Sequence, residues 1–199
     1  MASEVVRAVL NKVWEALDPL ETPCALMGGL ALAVWSYPRA TRDVDLLVGV
    51  DRANVQPIID ALLATGCRPR GPHPVICVGE HNFVQLLYTP PAEFYDVQFD
   101  LLLAETDLEK SALGRCVERA VPGIERPIRI LNCDDLILFK LVAGRLLDRA
   151  DAAMLLRENR DTVDFGYLGS WVSRLRLSRE FHEVWQNAFP GEPMPGNGE

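Results

Sequence analysis

The chain has 199 residues, 49% of them hydrophobic, and a formal net charge of −8. That much apolar content supports one sizeable core, or one domain with a small helical appendage, and excludes a disordered protein. The acidic balance argues against a protein that coats nucleic acid continuously, while leaving room for a local basic pocket. The apolar runs CALMGGLALAV, DLLVGV, VQLLY and FDLLLAE are too short or too interrupted by charge to span a bilayer, and MASEVVRAVLNKVWEAL lacks the layout of a signal peptide. A cytosolic protein without a membrane partner is expected.

Ser3 can cap a first amphipathic helix, in which Val6, Val9, Val13 and Leu17 recur at helical spacing. CALMGG then reads as a short buried strand ending at Gly28 and Gly29, followed by a helix LALAVWSY that stops near Pro38. VDLLVGV is a second strand, and Asp51 is placed to cap a helix over RANVQPIIDALLATG that ends at Gly66. PVICVG, NFVQLLYT and FYDVQFDLLLA have the composition and boundaries of further strands. After DLEKSALGRCVERA and an extended piece at RPIRIL, Asn132 caps a long helical stretch with a break near Gly144 and Arg145. Two more helical segments complete the C-terminal third. The fold class expected is therefore α/β (α+β), a mixed sheet flanked by helices over residues 1–131. A helical part over 132–189 and a loose Pro- and Gly-rich tail over 190–199 follow.

The five cysteines, at 24, 67, 77, 116 and 133, are an odd number and form no CxxC pair. Neither a disulfide framework nor a zinc site is indicated, and they read as small core residues. His73, His81 and His182 have no ligand set around them, and the four tryptophans read as packing residues.

The informative feature is a pair of acids inside an apolar strand. In DVDLLV, Asp43 and Asp45 project from one face while Val44 and Leu46 take the other. Asp96 and Asp100 share parity in YDVQFDLLL, so one of them can join the pair if the strands are neighbours. Three carboxylates about 6 Å apart repel by roughly 2–3 kcal/mol per pair at an effective dielectric near 20. Hard divalent cations offset such repulsion, and two Mg²⁺ ions can clamp the attacking and leaving oxygens of an in-line phosphoryl displacement. Gly28 and Gly29 lie where a strand turns into a helix, a place where backbone N–H groups can approach phosphate. Arg39, Thr41 and Arg42 precede the acid pair and could hold the outer phosphates of a nucleoside triphosphate.

Each element has a bland alternative, a turn for Gly-Gly or solvated charge for the arginines; the ordered combination is more specific than its parts. Met27-Gly28-Gly29, then Asp43-Val44-Asp45, then Phe99-Asp100-Leu101 resembles the signature of the nucleotidyltransferase superfamily that includes DNA polymerase beta. Together with ILNCDDLILFKLVAGRLLDRADAAML, it looks most like the small bacterial nucleotidyltransferases of the abortive-infection toxin type (AbiEii-like). The resemblance implies that Asp43, Asp45 and Asp100 ligate two Mg²⁺ ions, with Mn²⁺ an alternative. It also implies that Asp100 activates the acceptor hydroxyl, that Gly28 and Gly29 contact nucleotide phosphates, and that Lys140 points toward the triphosphate. For Lys140 a surface position is the alternative, and for Asp148 a helix cap is the preferred reading.

The function this implies is metal-dependent transfer of a nucleoside monophosphate to an acceptor hydroxyl on tRNA or protein, with release of pyrophosphate and with an antitoxin as a candidate partner. The alternatives are an aminoglycoside-type small-molecule acceptor, a catalytically silent nucleotide- or partner-binding module, and a structural protein that binds a cation only for stability.

Overall fold

A computed structural model describes residues 4–91, 93–124 and 126–194, so the Ser3 cap and the last five residues of the expected tail lie outside the described residues. The chain forms two compact units, one of residues up to 31 with 38–131, the other of residues 32–37 with those from 132 onward. Among the described residues no helix is long and apolar enough to cross a membrane.

The first unit opens with helix α1 (Glu4–Leu17), whose Val6, Val9, Leu10, Val13, Trp14 and Leu17 form one buried stripe. Strand β1 (Cys24–Met27) leads directly into α2 (Gly28–Val34), and β2 (Asp43–Val48) follows. Helix α3 spans Gln56–Ala64 and begins later than Asp51 suggested. Pro57 explains the difference: it is tolerated in the first turn, where its missing N–H costs nothing, but not five residues inside a helix begun at Arg52. Asp51 instead accepts the Asn54 N–H at 2.9 Å in a turn.

Strands β3 (Arg68–Pro69), β4 (Val75–Val78), β5 (His81–Tyr88) and β6 (Val97–Leu103) come next, then α4 (Asp107–Arg115), β7 (Val117–Arg119) and β8 (Ile128–Ile130). They make one mixed sheet in the order β3-β5-β6-β2-β1-β8-β7, with β4 paired to β5. β2 and β6 run parallel, β5 is antiparallel to β6, and β1 is antiparallel to β2. Register fixes which face is core. Val44, Phe99 and Leu86 stand in one row, Leu46, Leu101 and Val84 in another, and all six are fully buried. A slip of one residue would move both rows to the opposite face, so burial specifies the pairing.

The N-terminus of α4 is tied to the β4–β5 hairpin by polar groups. Thr106 and Glu109 form a capping box, and the fully buried Glu109 carboxylate also binds His81 Nδ1 at 2.6 Å. Beside them Asn82 donates to Glu105 at 2.5 Å. The hydrogen bond to Glu109 raises the His81 pKa above its ordinary 6.5, against the opposing effect of burial. For Glu109, burial alone would raise the pKa, but His81 and the Thr106 and Glu105 N–H groups outweigh it and hold the carboxyl below its ordinary 4.5. The raised His81 pKa contributes stability that is complete below pH 6.5 and is lost as pH rises through the folded value. The lowered Glu109 pKa contributes stability present above pH 4.5 and lost as pH falls through its folded value. His81→Gln is therefore expected to lower the melting temperature most between pH 4.5 and 6.5, with the deficit shrinking toward higher pH. A deficit independent of pH in thermal denaturation scans would rule out this coupling.

In the second unit, α5 (Cys133–Ala143) ends at Gly144, whose φ of +65° supplies the left-handed stop, and α6 (Leu146–Glu158) follows. Arg145 occupies the N-cap position of α6, so Asp148 is an interior residue of the first turn and not the cap. Helices α7 (Phe165–Arg174) and α8 (Ser178–Ala188) pack through Trp185, against Phe165, Phe181 and Phe189. The residues after Phe189 are not loose at first: Glu192 pairs with Arg160 at 2.6 Å and its carbonyl accepts the Trp185 indole N–H.

Three cysteines, 24, 67 and 133, are buried as expected, Cys116 is half-buried, and all five are free thiols; Cys77 departs from the expectation by being exposed. Burial pushes the Cys24 thiol up to about 11 and Cys133 up to about 12, which makes both poor nucleophiles.

Candidate active site

The parallel pairing of β2 with β6 places Asp45 directly opposite Asp100, and Asp43 opposite Gln98. Directly opposed residues share a face about 4.8 Å apart, so the two strands carry three carboxylates on the face opposite the core rows. Asp43, Asp45 and Asp100 are all half-buried. Of the two later acids, Asp100 is the one beside the pair. Asp96 precedes the strand and is engaged by Thr89 at 2.6 Å and Arg68 at 2.5 Å.

The neighbours of the acids define how each is held. Asp43 Oδ1 accepts the Thr41 hydroxyl at 2.6 Å. Asp100 receives the Gln98 amide at 2.9 Å to both carboxylate oxygens and the Gln85 amide at 3.3 Å to both. Burial raises the Asp100 pKa above the ordinary carboxylate value, partly opposed by the two amides and reinforced by the Asp43 charge. Neither glutamine stood out in the sequence, although Gln98 shares parity with Asp100 and Gln85 lies in the apolar run VQLLY.

At the β1–α2 junction, Gly28 has φ +63° and lies so close to Asp45 that a Cβ there would sit 1.9 Å from Oδ2. Gly29 approaches Thr41 in the same way, with its virtual Cβ 2.6 Å from Oγ1. Both glycines are therefore required by close approach, the first also by its backbone conformation, and they bring the N-terminus of α2 against the acid strand. Arg39, half-buried, and Arg42, exposed, lie with the buried Thr41 in the loop entering β2.

Lys140 belongs to the second unit, where it is buried and its ammonium bonds Asp148 Oδ1 and Asp151 Oδ2, each at 2.8 Å. It is not a surface lysine. Burial works to raise the Asp148 pKa, but Arg145 and Lys140 outweigh it and keep the carboxyl below its usual range.

The donor set formed by Asp43, Asp45 and Asp100 is all carboxylate oxygen, which suits a hard divalent cation. Among the described residues, no three acidic, histidine or cysteine side chains already converge as a preformed metal cluster. Asp100 faces its two amides, and Asp43 its threonine.

The sequence matches the family of nucleotidyltransferase AbiEii toxins, of type IV toxin–antitoxin systems, over residues 12–193. The chain belongs to this family. This AbiEii-family chain is thus a nucleotidyltransferase, and its mixed sheet is a nucleotidyltransferase fold. No curated protein matches it. Among solved structures it is similar to an antigenic nucleotidyltransferase-like protein from Paracoccidioides brasiliensis, with TM-score 0.53, 16% identity, and coverage of 92% of this chain and 93% of that one. It is also similar to the antibiotic-resistance factor ANT(2″)-Ia, with TM-score 0.56, 18% identity, and coverage of 89% and 96%. A second structure of ANT(2″)-Ia, in complex with adenylyl-2″-tobramycin, aligns with TM-score 0.54 at 17% identity over 88% of this chain and 98% of that one. At such identities the likeness carries the fold, and the substrate has to be argued from the site.

Proposed function

We propose that this chain transfers a nucleoside monophosphate from a nucleoside triphosphate to an acceptor hydroxyl, releasing pyrophosphate. The observation that carries this reading is the register of Asp45 against Asp100 on the polar face of the sheet, with Gly28 pressed against the same carboxylate. Asp43, Asp45 and Asp100 would hold divalent metal, Mg²⁺ by their chemistry with Mn²⁺ as a substitute. Such ions, when bound, supply charge stabilisation for the transferring phosphoryl group.

The remaining work falls to the chain. Gly28 and Gly29 expose the backbone at the start of α2 to the triphosphate, and Arg39, Thr41 and Arg42 lie beside it to orient the outer phosphates. Asp100 accepts the acceptor's hydroxyl proton. The acceptor oxygen bonds to the α-phosphorus, the bond from that phosphorus to the α–β bridging oxygen breaks, and pyrophosphate leaves with the electron pair. Catalysis of this kind is positioning and electrostatic stabilisation. A catalytically silent module is disfavoured because all three carboxylates are retained on one face. The family makes an antitoxin the proposed protein partner. A small-molecule acceptor is the competing reading, motivated by the ANT(2″)-Ia complex with its adenylylated aminoglycoside.

Calorimetric titration of the protein with each nucleoside triphosphate, with and without Mg²⁺, tests the donor half of this reading. Metal-dependent binding that Asp45→Ala abolishes is expected. Binding indifferent to both the metal and the substitution would refute it.

A further inference from the structure

Three carboxylates and one amide make a square on the polar face of the sheet. Across β2 and β6, Asp43 stands beside Gln98 and Asp45 stands beside Asp100. β5 adds Gln85 directly on the other side of Asp100. Asp100 therefore has one amide along its own strand, a second amide across one strand boundary and a carboxylate across the other. Both glutamines are half-buried. Gln85 is also held from behind, where its Oε1 accepts Arg70 Nη1 at 3.5 Å, the outer limit of a hydrogen bond, and its Nε2 is left to face Asp100.

Four distances define how these amides meet the carboxylate. Gln98 Nε2 is 2.9 Å from both Asp100 oxygens, and Gln85 Nε2 is 3.3 Å from both. A nitrogen equidistant from the two oxygens lies on the plane that bisects the carboxylate. A cation chelated by both oxygens has to lie on that same plane, so it competes with the amides. A cation bound through one oxygen lies off the plane and leaves the amides in place. The restriction affects hard cations unequally. Mg²⁺ demands a near-ideal octahedron at about 2.0–2.1 Å and completes it with water, whereas Ca²⁺ gathers roughly six to eight oxygens at about 2.3–2.6 Å and accepts carboxylates through both oxygens. Limiting Asp100 to one oxygen takes a ligand from Ca²⁺ and none from Mg²⁺.

We propose that Gln98 and Gln85 are positioning residues that set the cation preference of this face: they hold Asp100 to one-oxygen coordination and so favour Mg²⁺ and Mn²⁺ over Ca²⁺. They act through Asp100, as hydrogen-bond partners of ligating carboxylates do elsewhere. The inference rests on the assignment of Asp43, Asp45 and Asp100 as the metal-holding side chains given above.

The test is binding of Mn²⁺ to the nucleotide-free protein, followed by the electron paramagnetic resonance of the free ion, with Mg²⁺ and Ca²⁺ titrated in as competitors. Asp45→Ala protein defines the binding that belongs to other sites. Gln98→Met keeps the length of the side chain and removes the amide donor. It is expected to weaken Mn²⁺ and Mg²⁺ about tenfold and to leave Ca²⁺ unchanged or tighter, so that the ratio of Ca²⁺ to Mg²⁺ affinity rises about tenfold. Gln85→Met should move the ratio the same way by less, because its amide is farther from the carboxylate, and the double variant should move it most. A merely structural role would weaken all three ions together. The proposal is overturned if the ratio is unchanged in Gln98→Met and in the double variant, if it shifts toward Mg²⁺, or if both variants lose every ion alike. Should Gln98→Met not fold, as seen in a thermal scan, Gln85→Met reads the same ratio and decides by its direction. Failure of the transferase reading looks different: the wild type itself would show no Asp45-dependent Mn²⁺ binding, and this proposal would fall with it.

Discussion

Asp43→Asn is expected to lower nucleotidyl transfer by about 10³-fold or more, equivalent to roughly 4 kcal/mol of transition-state stabilisation at 1.36 kcal/mol per decade, while the protein stays folded. The amide keeps the shape of the carboxylate and still offers an oxygen to the Thr41 hydroxyl, which holds Asp43 Oδ1 at 2.6 Å. What disappears is one negative charge from a face that carries three, and with it the affinity for a cation that the charges create. Because the wild-type carboxylates repel one another, the melting temperature of the variant is expected to match or exceed that of the wild type. Single-turnover transfer and a thermal scan of the same preparation separate the two effects. Activity within tenfold of wild type would remove Asp43 from the catalytic set.

Lys140→Met is expected to cost about 3–5 kcal/mol of stability, because it leaves Asp148 and Asp151 buried without their shared cation. Both acids are almost wholly inaccessible, and each has a carboxylate oxygen 2.8 Å from the ammonium. For a chain of this size that corresponds to a fall in melting temperature of roughly 6–20 °C. The same substitution separates two roles for Lys140. If it serves to join α5 to α6, unfolding comes earlier and the remaining folded protein binds nucleotide normally. If it reaches the triphosphate, nucleotide affinity falls while the melting temperature holds. The ion pairs support the first outcome.

Alternation made the acid pair legible before any fold was known, since DVDLLV can bury Val44 and Leu46 only by turning Asp43 and Asp45 the other way. The parallel neighbourhood of β2 and β6 was not legible in the same sense. It joins residues more than fifty apart in the chain, and only the burial of the facing rows, Val44 with Phe99 and Leu46 with Leu101, sets its register. Gln85 and Gln98 were missed for that reason: their meaning depends on which strand lies alongside which. The two-residue β3 and three-residue β7 are too short to show a period. Helix α5 presents buried residues from Cys133 to Leu141 all round, so it offered no amphipathic face by which to tell a buried lysine from an exposed one. The late start of α3 was written in the sequence as Pro57, which outweighs the cap signal at Asp51.

Transfer itself is the most direct test of the central claim. Purified protein would be incubated with Mg²⁺ and each of the four α-labelled nucleoside triphosphates, together with total tRNA, a soluble protein extract or tobramycin, beside Asp43→Asn as the control. Label is expected to pass from one or more triphosphates to at least one of these acceptors with wild-type protein and not with the variant, accompanied by release of pyrophosphate. Absence of label from every acceptor, or equal labelling by wild type and Asp43→Asn, would contradict the assignment of the Asp43, Asp45 and Asp100 face as a nucleotidyl-transfer site.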